Sequence, residues 1–219
     1  MERISIGNKP NIPGGLIVFI SGVPGVGKTT ISYELLRRYN EFRIIQETDL
    51  IREILRGYNE HLEDTVGDTN IINILRKKVY IPDHMKIFNY EELKIQCSTM
   101  KRPIEKIIMR QQRKGISSII NGVHIIPEIL NGIAQNKNVV YINLYISTKE
   151  ALQARLSSRN VQKYMPYLDV SFEANCALYK SVLDLAQKFP HIFQSINVTN
   201  LTVDQVVDRT IDFIELSQR

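Results

Sequence analysis

Leu16 to Ser21 read LIVFIS, and Gly22-Val23-Pro24-Gly25-Val26-Gly27-Lys28-Thr29 follow without a break. The apolar run has the length and continuity of a strand buried on both faces. The stretch after it fits G-x-x-x-x-G-K-[ST], the loop that holds the phosphates of a nucleoside triphosphate. Its glycines let the backbone bend and turn several N–H groups inward, forming a nest for anionic oxygens. Ile31, Leu35 and Tyr39 then recur at helical spacing, with Leu36 beside them. A helix therefore opens near Gly27 and aims its positive end at the same phosphates. Lys28 adds a movable cation for the β- and γ-phosphates, and Thr29 a hydroxyl for Mg²⁺. Strand, loop and helix come in the required order, so the residues from Gly22 to Thr30 form the expected nucleotide site.

At 219 residues the chain suits one α/β domain with room for a helical insertion. Hydrophobic residues make up 43% and charged ones 23%, an ordinary balance for a globular protein with a proper core. The longest apolar runs are strand-sized, so no membrane span is expected. The N-terminus lacks a charged segment followed by an apolar one, so no signal peptide is expected either. Cys97 and Cys176 lie far apart and outside metal-ligand spacing. They read as reduced thiols of a cytoplasmic protein. The net charge of +5 suits a polyphosphate ligand. No aromatic-interleaved basic motif points to nucleic acid, so anionic small molecules are the expected partners.

Residues 1–15 carry too many Gly and Pro residues for regular structure and read as an N-terminal arm. Phe42 to Gln46 is a second strand. Thr48-Asp49 opens a helix through Tyr58, with Asp49 as its candidate N-cap. Residues 59–90 are polar and interrupted, with a short helix through Ile71, Ile74, Leu75 and Val79. Tyr90 to Lys114 is helical again, kinked or split by Pro103 and ended by Gly115. Residues from about 59 to 114 thus form a helical insertion. Ser117 to Asn121 and Val139 to Ile146 are further strands. Helices follow at Ser147-Thr148, roughly at Ser171 to Lys188, and at Val203 to Leu216, with a last strand from Ser195 to Val198. Alternating strands and helices predict a three-layer fold: a mostly parallel five-stranded sheet with helices on both faces.

In such sheets the ligand lies beyond the carboxyl ends of the strands. The second strand brings Asp49 and Arg52 there, and the third brings Asn121 and His124. Asp49 could join the Mg²⁺ water shell or act as base toward an acceptor hydroxyl. It could also cap its helix. Arg52 could fork onto an acceptor carboxylate or phosphate; as a plain charge it would pair with Glu53 or Glu47. His124 reads equally as a working side chain or a buried, satisfied one. Arg155 and Arg159 share a helix face after the fourth strand, where they could clamp moving phosphate charge or merely meet solvent. They belong to a lid region over residues 148–170. Lys101, Arg102, Lys106, Arg110, Arg113 and Lys114 read as a solvated face.

The loop, then TDLIREIL, then IINGVHIIP, and finally SINVTNLTVDQVVDRTIDFI, resemble the 2-phosphoglycerate kinase family of small-molecule P-loop kinases. The likeness runs from about Leu16 to Ile214. It implies an α/β fold like that of nucleoside monophosphate kinases and transfer of the γ-phosphoryl group of Mg-ATP to a hydroxyl of a small anion. In this reading Lys28, Asp49, Arg155 and Arg159 are catalytic, Thr29 and Asp49 serve the metal, and Arg52, Asn121 and His124 meet the acceptor. Asn121 departs from the family, which usually has an acidic residue there. A neutral amide can neither hold a cation nor accept a proton as a carboxylate does. Two other readings stay open: an ATP-binding switch with little transfer activity, and a kinase of nucleosides or polynucleotide ends.

Overall fold

In the computed structural model, which describes residues 12–66, 89–134, 138–158 and 162–218, the apolar run is strand β1 (Ile17–Ser21), buried at every position. Along the chain follow α1 (Lys28–Arg38), β2 (Phe42–Glu47), α2 (Thr48–Val66), α3 (Tyr90–Arg113) and β3 (Ser117–Gly122). Then come α4 (Pro127–Ala134), β4 (Val139–Tyr145), α5 (Lys149–Ser158), α6 (Leu168–Lys188), β5 (Phe193–Asn197) and α7 (Val203–Ser217). The five strands lie in the order β2-β3-β1-β4-β5, all parallel. α1 and α7 pack together on one face, and α3, α4 and α6 contact one another on the other. This is the expected three-layer α/β fold, with β1 and its glycine loop at its centre.

Burial on both faces explains the unbroken apolar strands. Leu16, Ile17, Val18, Phe19 and Ile20 are wholly buried, as are Val140, Tyr141 and Ile142 of β4. Three aromatic rings, Phe19, Tyr141 and Phe193, stand in a row across β1, β4 and β5, with centroids 6.0 and 5.2 Å apart. The last residues of the expected N-terminal arm are pinned to this core. Ile12 is buried, and the carbonyl of Pro13 accepts from the Ser117 hydroxyl at 2.7 Å. Cys97 is buried in α3, and burial pushes its thiol up to about 12.

Several element boundaries differ from the sequence expectation. α2 begins at Thr48 and runs on to Val66, so Asp49 sits inside its first turn and is not its cap. The polar residues after Tyr58 therefore continue a helix: its exposed side holds charges without cost, and apolar periodicity is not needed there. The short helix read through Ile71 to Val79 lies outside the described residues. α3 is one helix through Pro103. Met100 and Ile104 are buried on either side of the proline, and this packing holds the turn that the missing N–H weakens. α4 was not foreseen; it starts at Pro127, where a missing N–H is harmless because first-turn donors have no helical partner. α7 is closed at its start by a capping box between Thr202 and Gln205. Among the described residues no helix is long and apolar enough to cross a membrane.

Candidate active site

The phosphate loop hangs from the end of the central strand and leads straight into α1. Gly22, Gly25 and Gly27 have φ of 140°, 91° and 101°, a left-handed region that side chains avoid. The loop is also tightly covered. A Cβ on Gly22 would run into the Leu144 carbonyl and stand 2.7 Å from Val26 Cγ2; one on Gly25 would stand 2.9 Å from Leu156 Cδ2. The successive turns leave α1 pointing its first N–H groups into the concavity. Lys28 Nζ donates to the Val23 carbonyl at 2.9 Å, so the cation lies folded against its own loop. Thr29 and Thr30 are exposed at the rim.

Beside the loop, β3 ends in Asn121 and Gly122. Asn121 is 2% exposed, and its Nδ2 donates to the Ser32 hydroxyl at 2.9 Å, which donates to the Lys28 carbonyl at 2.9 Å. The amide thus latches the strand to the loop helix while the Ser32 proton stays on the Lys28 carbonyl; a carboxylate, with no proton to donate, would have to take that proton for itself. Gly122 lets α2 come close. A Cβ there would overlap Thr48 Oγ1 and stand 2.8 Å from Thr48 Cβ.

That approach builds the second half of the site. Thr48 Oγ1 and His124 Nδ1 are 3.1 Å apart, and the same nitrogen lies 3.6 Å from Asp49 Oδ1. Asp49 is 62% exposed at its side chain, while His124 is wholly buried. Arg52 is 4% exposed; its guanidinium meets Glu53 at 2.9 Å and Asp49 at 3.7 Å. Of the two pairings weighed for Arg52 as a plain charge, Glu53 is the one found. The turn carrying His124 is fixed from below, where the Tyr141 hydroxyl donates to the Ile125 carbonyl. Burial raises the pKa of that phenol well above its usual value, so it stays a donor.

Arg155 reaches back to the loop. Its guanidinium donates to the carbonyls of Val26 at 3.3 Å, Thr199 at 3.5 Å, and Val198. It therefore clasps the phosphate loop to the β5–α7 turn. Arg155, Val26 and Val198 line a cleft of about 120 Å³ with Gly27, Thr30, Leu201, Thr202, Val203 and Val206. Apolar walls beside a phosphate nest are what a nucleobase needs. Arg159 lies outside the described residues. Arg102, Lys106, Arg110, Arg113 and Lys114 are exposed and Lys101 is half-buried, as read for a solvated face.

Sequence reading missed Ser32, Thr48 and Asn175. Asn175, on α6, is buried and holds Ile146 through both its oxygen, at 3.1 Å, and its nitrogen, at 2.8 Å. Ser and Asn in helices carry no pattern of their own; only the partner strand reveals their task. Thr48 had a signal, since it is adjacent to Asp49 and opens the helix.

A phosphate loop on the middle strand of a parallel sheet, with acid, histidine and arginine at the neighbouring strand ends, defines the P-loop kinase class of α/β domains. No protein-family model matches the chain. Among curated proteins it is similar to the 2-phosphoglycerate kinase of Methanococcus vannielii, at 26% identity over 93% of this chain and 68% of that one. The 2-phosphoglycerate kinase of Pyrococcus horikoshii is 30% identical over 72% of this chain and 53% of its own length. A sugar kinase from Janibacter sp. HTCC2649, solved unliganded, aligns with a TM-score of 0.46 at 16% identity, covering 93% of this chain and 96% of that one. The chain is thus similar to the 2-phosphoglycerate kinases over most of its length. It spans between 53 and 68% of the length of the curated relatives it matches.

Proposed function

We propose that this protein is an ATP-dependent phosphotransferase that moves the γ-phosphoryl group of Mg-ATP to a hydroxyl of a small phosphorylated acid such as 2-phosphoglycerate. The observation that carries the reading is the arrangement of two half-sites at one sheet edge. A left-handed glycine nest ends β1, and the Thr48–His124–Asp49–Arg52 group ends β2 and β3. The residues fit the nucleotide. The turns that make the nest need glycine at Gly22 and Gly25, where a Cβ would collide with the Leu144 carbonyl or with Leu156, and the exposed Thr29 stands at its rim.

In this reading the loop N–H groups and the start of α1 hold the phosphate oxygens. Lys28 leaves the Val23 carbonyl for the β- and γ-phosphates, so a bond to a neutral acceptor is exchanged for an ion pair. Thr29 would offer its hydroxyl to Mg²⁺, which would supply positive charge to offset that of the phosphates. The cleft beside Arg155 takes the base. Asp49 orients the acceptor hydroxyl and takes its proton as the new O–P bond forms and the bond to ADP breaks. Arg52, nearly dry between Asp49 and Glu53, grips the acceptor's anionic end. The arginine-bearing segment over residues 148–170 shields the reaction from water.

Coupled ADP release with a panel of phosphorylated three-carbon acids, sugars and nucleosides tests this. Turnover of one acid is expected, falling by about 10²-fold or more in Lys28→Ala. Unchanged turnover in that variant would end the assignment.

A further inference from the structure

We propose that Glu47 supplies the metal-directed carboxylate of this site, the part that the neutral Asn121 cannot play. The inference rests on the phosphotransferase reading above and names a residue that reading does not use.

Glu47 is the last residue of β2, and its partner in register is Asn121 at the end of β3. Neighbours in register on parallel strands project from the same face of the sheet. The side chain of Asn121 meets Ser32 of α1, so Glu47 projects toward α1 as well. α1 packs over both β2 and β3. Ser32 follows Thr29 by one helical turn, which puts Thr29 on the same side of α1, closer to the edge where the strands end. Glu47 stands one strand spacing, about 4.8 Å, from Asn121 and carries one more methylene. Its carboxylate can therefore reach the ground beside Thr29 from the neighbouring strand, while Asn121 stays bonded to Ser32.

The other carboxylates near this edge are engaged. Asp49 faces Arg52 and His124, and Glu53 faces Arg52 and Arg56. Glu47 is half-buried and, among the described residues, its carboxylate makes no hydrogen bond or ion pair. Oxygen ligands and waters suit Mg²⁺, which keeps several waters and takes only one or two carboxylates. A carboxylate one strand over can accept hydrogen bonds from those waters, and an amide already spent on Ser32 contributes little.

The test uses Mn²⁺ as the probe ion. Its affinity is measured by electron paramagnetic resonance in the presence of saturating AMP-PNP, a non-hydrolysable ATP analogue. The affinity of AMP-PNP alone is measured by calorimetry in EDTA. Glu47→Gln is expected to weaken Mn²⁺ binding about tenfold and to leave metal-free AMP-PNP binding within twofold. Adding Asn121→Asp to that variant is expected to recover most of the loss, by returning a carboxylate to β3. Mn²⁺ affinity within twofold of the parent in Glu47→Gln would overturn the proposal. So would an equal loss of metal-free AMP-PNP binding, which marks a folding role. A parent protein that binds no AMP-PNP under either condition overturns the phosphotransferase reading itself.

Discussion

Gly122→Ala is the sharpest test of how the site is assembled. The new methyl would overlap Thr48 Oγ1 and stand 2.8 Å from Thr48 Cβ, both on the first residue of α2. Overpacking of this kind costs about 1–3 kcal/mol. The Thr48–His124 contact of 3.1 Å cannot survive the shift, which adds about 1 kcal/mol. A total near 3 kcal/mol lowers the melting temperature of a chain this size by roughly 6–12 °C. Thr48→Ala alone removes the hydroxyl contact and costs about 1 kcal/mol. In the double variant the overlap with Oγ1 is gone while the Cβ contact remains. The two costs should therefore add to about 1 kcal/mol or more below their sum. Urea unfolding of the four proteins, read by circular dichroism, gives the cycle. Costs that add within about 0.5 kcal/mol would refute the claim that Gly122 exists to admit Thr48.

Two further outcomes follow from side chains already placed. Arg52→Lys keeps the charge but cannot fork between Asp49 and Glu53, so the KM for the acceptor should rise about tenfold or more while that for ATP moves less than twofold; steady-state kinetics varying each substrate in turn decides, and equal rises would point to a general loss of structure. Glu34 is held at about 2 by hydrogen bonds from Arg37 and Arg38. Its pKa is lower folded than unfolded, so its contribution is present above the unfolded value near 4.5 and is lost as pH falls toward 2. The melting-temperature gap between the parent and Glu34→Gln should accordingly close between pH 5 and pH 2, and a gap that widened on acidification would contradict this sign.

The strand-loop-helix unit was legible because its requirements are local. An apolar run, turning glycines and a lysine at a helix start need no distant partner to be recognised. The order of the strands was not legible residue by residue, although their number and parallel sense followed from the alternation with helices. Asn121 shows the limit most clearly. Sequence gave it as a neutral substitute in a site, and the fold gives it a proton-donating bond to Ser32. Arg155 is similar: its spacing pointed outward to a lid, whereas its guanidinium turns inward to three backbone carbonyls that lie far away in sequence. Such partners are brought together only by the sheet, and no window along the chain contains them. The helix past Tyr58 was missed for a different reason, since a polar surface helix lacks the apolar rhythm on which the reading depends.

The position of β2 has a consequence for motion. It is an edge strand, joined to the sheet through β3 alone, and its pairing slips between Phe42 and Ile44. The opposite side is laced by side chains, with Ser21 donating to Asn143 at 3.2 Å and Asn143 to Ser195 at 3.3 Å. Segments with fewer such ties open at lower free energy than the rest of a domain. Glu47, Asp49 and Arg52 all ride on the loosely tied edge or the helix leaving it, while the phosphate loop rides on the laced centre. On the proposed function, the half assigned to the acceptor would breathe open and reclose, exchanging one small molecule for another, without releasing the half assigned to the nucleotide.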